Sequence, residues 1–398
     1  MKIFFLTLIC SSLPFIACTQ RISSEQLKSH ISWLASDELQ GRGTGSTGGE
    51  KAAEYLESEF KKIGLATSSN SFTFKGGMHG TGKEGATRNI IAYLDNQAKT
   101  TIIIGAHYDH LGLGNDGNSL DPDPKNKIHN GADDNASGVA GILELARYFK
   151  KNKLQNSNLL FLAFSGEELG LYGSKYWTEH PTINLNQVNY MINLDMIGRY
   201  ESSKGLAVSG TGTAPVWEPL LKSLSSEKLI IKTDSSGVGP SDHTSFYLKN
   251  IPVLHFFTGS HSDYHKPTDD WDKINYAGEA EILRIIVKVI ESPETQNKLA
   301  FLTTKNKSMT PRSSFKVTMG VMPSYTAEVV GLRVDGVSEG KPAQKAGILA
   351  GDIITKLGVY EVKDIETYME ALGQFDKGQT ITVQVKRGAE VKDLTVTF

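Results

Sequence analysis

Five polar stretches of the sequence could bind metal ions, because each places imidazole or carboxylate side chains beside a run of strand or helix residues. They are residues 107–110, 131–138, 165–170, 193–195 and 263–265. Imidazole and carboxylate ligands suit zinc, and a catalytic zinc site keeps one position open for water or substrate. Two histidines and three carboxylates can hold two zinc ions if one carboxylate lies between the ions and offsets their repulsion. The side-chain types therefore indicate a catalytic centre with two metals.

The elements that must position these stretches alternate between strands and helices. Apolar runs of strand length occupy residues 89–94, 101–106, 159–164, 190–194 and 253–257. Apolar residues at helical spacing occupy residues 23–35, 49–62, 137–151 and 276–290. This alternation predicts an α/β sheet covered by helices on both faces. Ligands bind at the carboxyl ends of strands in such sheets, so we expect the polar stretches to meet at one edge.

The five polar stretches, taken in their order along the chain, resemble the motifs of the co-catalytic di-zinc peptidases of the bacterial leucyl aminopeptidase and glutamate carboxypeptidase type. The matching motifs are His-Tyr-Asp at 107–109, Gly-Ala-Asp-Asp-Asn-Ala-Ser-Gly at 131–138, Ser-Gly-Glu-Glu-Leu-Gly at 165–170, Asn-Leu-Asp at 193–195 and Tyr-His at 264–265. One such motif is weak, but five in the family's order are a strong signal. The resemblance implies a mixed, mostly parallel sheet between helices, and two Zn²⁺ ions per chain.

The resemblance also implies the metal ligands, position by position. His107 and Asp195 would hold the first zinc, and Glu168 and His265 would hold the second. Asp134 would bridge the two ions, because it directly precedes the asparagine of its motif. The peptide bond that follows the bridging aspartate is often cis in this family.

Further roles implied by the resemblance concern the substrate and the orientation of the ligands. Glu167 would be the general base that takes a proton from the zinc-activated water. Tyr264 would stabilise the oxyanion, and Asp109 would hydrogen-bond His107 and fix its tautomer. Asp133 remains the alternative to its neighbour as the bridging carboxylate.

Other candidate residues have less support from the sequence. Asp242 and His243 begin a predicted helix, and we expect them to line the substrate pocket. The insert at residues 113–130 carries three aspartates, so it either binds calcium through oxygen ligands or is simply solvated. Three histidines near the site in the sequence have no assigned role: His110, His129 and His261.

Near residue 316 short strands and glycines replace the longer elements. The motifs of this region are residues 319–321, 330–334, 340–347 and 351–354. They resemble bacterial PDZ domains of the kind attached to periplasmic proteases. A PDZ domain captures an extended C-terminus as an added strand, and backbone N–H groups hold the carboxylate. The resemblance places that loop at Val330, Gly331 and Leu332, and the alternative is a domain that packs on the peptidase and binds nothing.

Residues 1–18 are predicted to be an export signal, with Lys2 before an apolar run and small residues before Cys18. The ending Phe-Ile-Ala-Cys resembles a lipobox, which implies lipidation of Cys18; an ordinary signal peptide cut nearby is the alternative. Acyl chains there would anchor the protein to a membrane without spanning it. We therefore expect a protein of the cell envelope, in the periplasm or at the outer membrane. Both cysteines, Cys10 and Cys18, precede the mature chain, which thus has no pair for a disulfide.

The composition, with 39% hydrophobic and 22% charged residues, is that of a soluble globular protein. A net charge of −2 and scattered basic residues argue against a nucleic-acid partner. The length fits two domains. The predicted plan is a leader at 1–18, a peptidase domain at 19–291, a linker at 292–315 and a PDZ-like domain at 316–398.

The leading interpretation is a zinc aminopeptidase that removes N-terminal residues from peptide substrates. Carboxypeptidases and a cyclising acyltransferase, glutaminyl cyclase, share the scaffold and stay open as alternatives. A further alternative is a non-catalytic binding protein that works through its PDZ domain on protein or peptide C-termini. The presence of Glu167 and of all five candidate ligands disfavours it. Other divalent ions use similar ligands, so zinc itself is an inference.

Overall fold

The structure is a computed structural model that describes residues 21–75, 84–116, 118–304, 317–323, 329–337, 340–363 and 365–398. Two separate β-sheets organise these residues. The predicted leader with Cys18 lies outside the described residues, so export and lipidation stay predictions. None of the described helices is long and apolar enough to cross a membrane.

The first sheet has eight described strands. They are β1 (Ala66–Lys75), β2 (Glu84–Leu94), β3 (Thr100–His107), β4 (Ser157–Phe164), β5 (Val188–Leu194), β6 (Leu206–Ser209), β7 (Ile231–Thr233) and β8 (Val253–Phe257). Their order across the sheet is β1-β2-β4-β3-β5-β8-β6-β7. The central strands β4, β3, β5 and β8 pair in parallel, whereas β1, β2 and β6 make antiparallel pairs. The predicted mixed, mostly parallel sheet is confirmed.

Helices accompany this sheet along the chain. They are α1 (Ser24–Leu34), α2 (Thr47–Ile63), α3 (Gly138–Lys151), α4 (Tyr172–Glu179), α5 (Trp217–Leu224), α6 (His243–Tyr247) and α7 (Tyr276–Glu291). Successive side chains of β3 enter different cores, since strand residues alternate between the faces of a sheet. Ile102 and Ile104 pack in one core with α1, α2, α3 and α7, whereas Ile103 packs in another with Trp177 and Phe246. The sheet is thus buried on both faces, as its apolar strands predicted.

Helix α2 shows how the local sequence sets an element. Its first turn is capped by Ser46, whose hydroxyl accepts a hydrogen bond from the Gly49 N–H at 3.1 Å. It ends at Gly64, which takes the left-handed conformation (φ 88°) that a C-terminal cap requires. Leu56 and Phe60 lie on its buried face. The spacing of these apolar residues is what predicted the helix.

Strand ends determine where the polar stretches lie. Strand β3 ends at His107, β4 at Phe164, β5 at Leu194 and β8 at Phe257. Because the four strands run parallel, their carboxyl ends lie at the same edge of the sheet. The residues that follow each strand are therefore brought to that edge.

The second sheet is smaller and antiparallel. Its described strands are β9 (Val321–Pro323), β10 (Leu332–Val337), β11 (Ile353–Leu357), β12 (Tyr360–Glu361), β13 (Thr380–Arg387) and β14 (Glu390–Thr397), with helices α8 (Pro342–Lys345) and α9 (Ile365–Leu372). A core of its own includes Val334, Ile354 and Val383. Asp352, almost fully buried, accepts two hydrogen bonds from the Arg387 guanidinium, both at 2.7 Å. This region has the small β-rich architecture that was predicted.

The first part of the predicted linker, up to residue 304, contacts the first sheet's domain. Lys298 donates to the Asn186 carbonyl at 3.1 Å, and the Leu302 N–H donates to the Thr213 carbonyl at 2.8 Å. The N–H of Thr304 donates to the Tyr247 hydroxyl at 3.0 Å. These residues therefore form part of the domain surface. The rest of the predicted linker, residues 305–315, lies outside the described residues.

Candidate metal centre

The loops after the central strands bring three predicted ligands of the first zinc together. His107 Nε2 lies 3.3 Å from Asp195 Oδ1 and 3.5 Å from Asp134 Oδ1. His107 ends β3, Asp195 directly follows β5, and Asp134 precedes α3. We call these three residues the first metal group.

The second set of predicted ligands surrounds the other oxygen of the same aspartate. His265 Nε2 lies 3.2 Å from Asp134 Oδ2 and 3.3 Å from Glu168 Oε2. A histidine that the sequence left without a role joins them, since His110 Nδ1 lies 2.9 Å from Glu168 Oε1 and 3.8 Å from Asp134 Oδ2. We call Asp134, Glu168, His265 and His110 the second metal group.

Asp134 belongs to both groups. Its Oδ1 faces His107 and its Oδ2 faces His265, which is the geometry of a bridging ligand. Asp133 points elsewhere: its carboxylate accepts from the Gly198 N–H at 2.7 Å and lies 3.1 Å from His261 Nε2. The Asp134–Asn135 peptide bond is cis, as the family resemblance implied. Of the two neighbouring aspartates, only Asp134 is placed to join the groups.

The donor spacing fits a divalent metal such as zinc. Ligands about 2.0–2.2 Å from a tetrahedral zinc lie roughly 3.3–3.6 Å from one another. The measured donor separations of His107 and His265 from their carboxylates are 3.2–3.5 Å. Both groups are largely buried and each contains histidine and carboxylate donors. These residues therefore form two adjoining sites that can each hold a metal ion.

A backbone carbonyl orients the ring of His107. His107 Nδ1 donates to the Asp109 carbonyl at 3.1 Å, which leaves Nε2 to face the carboxylates. The Asp109 carboxylate is 3.9 Å from that nitrogen, too far for a hydrogen bond. It instead accepts from the Thr44 hydroxyl at 2.6 Å and from the Glu167 N–H at 3.2 Å. Asp109 thus touches His107 through its main chain, and its side chain ties down the Glu167 segment.

Glu167 lies beside both groups without belonging to either. Burial raises its pKa well above the ordinary glutamate value, and the neighbouring carboxylates of Glu168, Asp242 and Asp195 raise it further. Bound cations would oppose this shift, because positive charge favours the ionised carboxylate. A buried glutamate with a raised pKa at the edge of a metal site suits proton transfer.

The remaining predicted site residues surround this centre. The Tyr264 ring stacks on the His265 ring, with centroids 3.9 Å apart. Asp242 and His243 are fully buried, and the His243 ring stacks on His255 at 4.4 Å. Burial raises the pKa of Asp242 to about 7, with help from the nearby carboxylates. Their assignment to the substrate pocket stays a prediction.

Three residues that hold the centre were missed in the sequence. Burial lowers the pKa of His110 to about 3, so it presents the neutral imidazole that either coordinates a metal or donates to Glu168. Buried Asp269 accepts from the N–H groups of Asp133 and Asp134, at 2.9 and 3.1 Å. Arg42, also buried, donates to the carbonyls of Tyr108, Asn130 and Gly131. The available signals were the three-residue step from His107 to His110 and the four-residue step from His265 to Asp269.

In the second domain, part of the predicted carboxylate loop already has internal partners. The Gly331 N–H donates to the Lys363 carbonyl at 2.8 Å, and Leu332 pairs with Ile354 in the sheet. Val330 is 80% exposed. The Gly331 N–H is thus hydrogen-bonded within the domain. The assignment of this loop to carboxylate binding stays a prediction.

Comparison with known families decides what this centre belongs to. The model of peptidase family M28 matches residues 89–290, just over half of the chain, and this range contains every residue of both metal groups. The chain belongs to peptidase family M28. A second model, that of the PDZ domain, matches residues 304–398. The protein is thus an M28 metallopeptidase with a C-terminal PDZ domain, and the predicted resemblance is confirmed.

Similarity to curated proteins covers most of the chain in one case and less than half of it in another. The Escherichia coli K12 protein YfbL is 26% identical over 324 residues, which cover 72% of this chain and 95% of that protein. Leucine aminopeptidase 2 of Trichophyton rubrum is 29% identical over 193 residues. That match covers 45% of this chain and only 38% of the fungal enzyme.

Solved structures share the M28 fold at low sequence identity. A leucine aminopeptidase precursor from Bacteroides thetaiotaomicron has a TM-score of 0.58 and 19% identity, covering 69% of this chain and 98% of its own. Porphyromonas gingivalis glutaminyl cyclase has the same TM-score and identity, covering 68% and 98%. An aminopeptidase from Aneurinibacillus sp. strain AM-1 has a TM-score of 0.54 and 20% identity, covering 74% and 98%. Fold alone does not separate an aminopeptidase from a cyclase.

Proposed function

We propose that the M28 domain is a di-zinc aminopeptidase that hydrolyses the peptide bond after the N-terminal residue of a substrate. The observation that carries this proposal is the pair of histidine–carboxylate groups joined by Asp134, with Glu167 beside both. Aminopeptidase relatives support the reaction class. The many carboxylates of the site would also attract the protonated α-amine of a substrate.

The chain's own residues would carry the proton and the charge. Zinc ions in the two groups would supply Lewis acidity, for activation of water and for stabilisation of negative charge on the scissile carbonyl. Glu167 takes the proton of the attacking water on its carboxylate and gives it to the departing amine as the C–N bond breaks. The Tyr264 hydroxyl donates a hydrogen bond to the oxyanion that forms on the carbonyl oxygen.

Removal of the metal is expected to abolish release of N-terminal residues. The measurement uses purified chain without residues 1–18 and a panel of aminoacyl anilides, with N-blocked peptides beside them. We expect cleavage only of compounds with an unblocked α-amine, loss of turnover with a chelator, and recovery with about two equivalents of zinc per chain. The panel also measures the preference for the N-terminal side chain.

Two other results would point elsewhere on the same scaffold. Cleavage of N-blocked peptides at their C-termini would replace the aminopeptidase with a carboxypeptidase. Conversion of N-terminal glutamine to pyroglutamate, with two zincs bound and no hydrolysis, would assign cyclase chemistry. Turnover that a chelator leaves unchanged would reject a metal-dependent reaction altogether.

For the PDZ domain we propose capture of the C-terminus of a peptide or protein. The support is the family match over residues 304–398 and the strand-addition mode of such domains. Peptides ending in a carboxylate should bind, and the same peptides ending in an amide should bind at least about tenfold more weakly, because charge-assisted hydrogen bonds are lost. Isothermal titration with a small library of matched pairs measures this. Equal binding of both forms would show that the carboxylate is not recognised.

We also propose that the protein is exported and anchored in the cell envelope through lipid on Cys18. The support is the leader sequence alone: a basic start, an apolar run and the Phe-Ile-Ala-Cys ending. A short lipid anchor would keep the peptidase at a membrane surface, where its peptide substrates would have to reach it from the surrounding compartment.

A further inference from the structure

The histidine of the second metal group is held by a part of the chain that is distant in sequence. His265 Nδ1 donates to the main-chain carbonyl of Asn118 at 2.8 Å. A carbonyl oxygen only accepts, so this nitrogen carries the proton, and Nε2 is the one that faces Asp134 and Glu168. Asn118 belongs to the insert, residues 113–130. One carbonyl of the insert therefore selects the tautomer of a candidate metal ligand.

The same segment of the insert also fixes the backbone of this histidine. His265 has a φ of 54°, a left-handed conformation that is uncommon outside glycine. Its carbonyl accepts from the Leu120 N–H at 2.9 Å, and the Ser119 hydroxyl oxygen lies 3.2 Å from it. Three consecutive residues of the insert thus contact the ring and the main chain of His265. These contacts stabilise the histidine in the orientation that faces the carboxylates.

Contacts within the insert stabilise the position of the segment that contacts His265. His129 Nδ1 donates to the Lys127 carbonyl at 2.9 Å, so His129 Nε2 accepts, and the Ser119 hydroxyl donates to it at 2.7 Å. Lys127 Nζ in turn lies 3.0 Å from Asp121 Oδ1. His129 is fully buried, although it lies in a loop. Ser119 therefore anchors the three-residue segment that contacts His265 to the buried interior of the insert.

Two of the three aspartates of the insert lie near a lysine of the same insert. Lys127 pairs with Asp121, and Asp123 accompanies it at 3.8 Å. Among the described residues, the groups able to hold a metal include no carboxylate of the insert. The calcium alternative from the sequence therefore has no support in this structure.

We propose that the insert is a positioning element for the second metal group, and that Ser119 is the positioning residue through which its interior holds His265. The inference rests on the proposed di-zinc function, since it concerns the affinity of one of the two metal ions. Residues that orient a metal ligand typically contribute about 10–100-fold in metal affinity. The first metal group has no contact with Ser119 and should be unaffected.

The test compares zinc affinity at each group separately. Asp195→Ala removes a ligand of the first metal group and leaves the second intact. Glu168→Ala removes a ligand of the second group and leaves the first intact. Each of these background variants is therefore expected to bind one zinc. Ser119→Ala is added to each, and the zinc Kd is measured by competition with a chromogenic chelator. We expect a Kd about tenfold higher in the Asp195→Ala background and no change in the Glu168→Ala background. Ser119→Thr keeps the hydroxyl and should restore the affinity, and Ser203→Ala is an exposed serine control.

Thermal unfolding of the metal-depleted proteins shows whether each variant still folds. An equal loss of affinity in both backgrounds would assign Ser119 a general structural role and overturn the inference. An unchanged Kd in both backgrounds would overturn it too. Absence of zinc from the parent chain would instead reject the metal centre, so the two failures are distinguishable.

Discussion

Glu167→Gln is expected to lower kcat by about 10³-fold while the chain keeps two zinc ions. Glutamine has nearly the size of glutamate but cannot accept the proton of the attacking water, and general-base catalysis contributes roughly 10²–10⁴-fold. Glu167 belongs to neither metal group, so its loss should leave zinc content unchanged. The measurement pairs steady-state kinetics on the best anilide substrate with metal analysis of the same sample.

The adjacent residue provides the matched control for this substitution. Glu168→Gln changes the same functional group one position along the chain, but Glu168 lies 3.3 Å from His265 Nε2 in the second metal group. The Glu168→Gln variant should lose turnover and the zinc of the second metal group, whereas the Glu167→Gln variant should lose turnover and keep both zincs. Wild-type-like kcat in Glu167→Gln would reject the base assignment, and loss of zinc from it would make Glu167 a ligand.

Motifs at strand ends made much of this centre predictable from the sequence. Apolar runs marked β3, β4, β5 and β8 as buried strands, and the polar residues after each run had to meet at one edge because the strands are parallel. His107, Asp195 and Glu168 were placed by this logic and by family order. Local sequence is informative there because the strands are buried on both faces.

Strands of mixed polarity are among the elements that the sequence did not predict. Strand β1 contains mostly serine, threonine and other polar residues, and only Phe72 and Phe74 of it are buried. It lies at the end of the sheet, where one neighbour supplies all its strand pairing. Edge strands of this kind carry little hydrophobic signal in the sequence. The conformation of β1 is therefore decided by its pairing with β2. Strand β7 is also at the edge and has no fully buried residue.

Side chains that act across long sequence distances were also beyond prediction. The three-residue step from His107 is a weak signal for His110, because one histidine near a strand end has many structural explanations. Its closeness to Glu168 depends on the packing of β3 against β4, which the sequence does not specify at the level of ångströms. The same holds for Asp269, whose carboxylate reaches back 136 residues to the N–H of Asp133. Contacts of this kind follow from the assembled fold.

Asp134→Asn is expected to have the largest effect on metal binding of any single substitution. Its two oxygens face His107 and His265 at 3.5 and 3.2 Å, so one side chain serves both groups. An asparagine offers one neutral oxygen and replaces the other with a donor that repels a cation. Zinc content should fall from about two per chain to below one. Turnover should fall by about 10³-fold or more, because metal catalysis contributes several kcal/mol.

Asp133→Asn separates the bridging role from the effects of changing this loop. The Asp133 carboxylate accepts from Gly198 N–H and from the Ser137 hydroxyl, and it lies beside His261. Its substitution should reduce folding stability by about 1–3 kcal/mol, since buried partners lose a charged acceptor, but should leave both zincs bound. Metal analysis and urea unfolding of the two variants measure both effects. If Asp133→Asn loses the metals and Asp134→Asn keeps them, the bridging carboxylate is Asp133, and the order of the two aspartates in the site must be reversed.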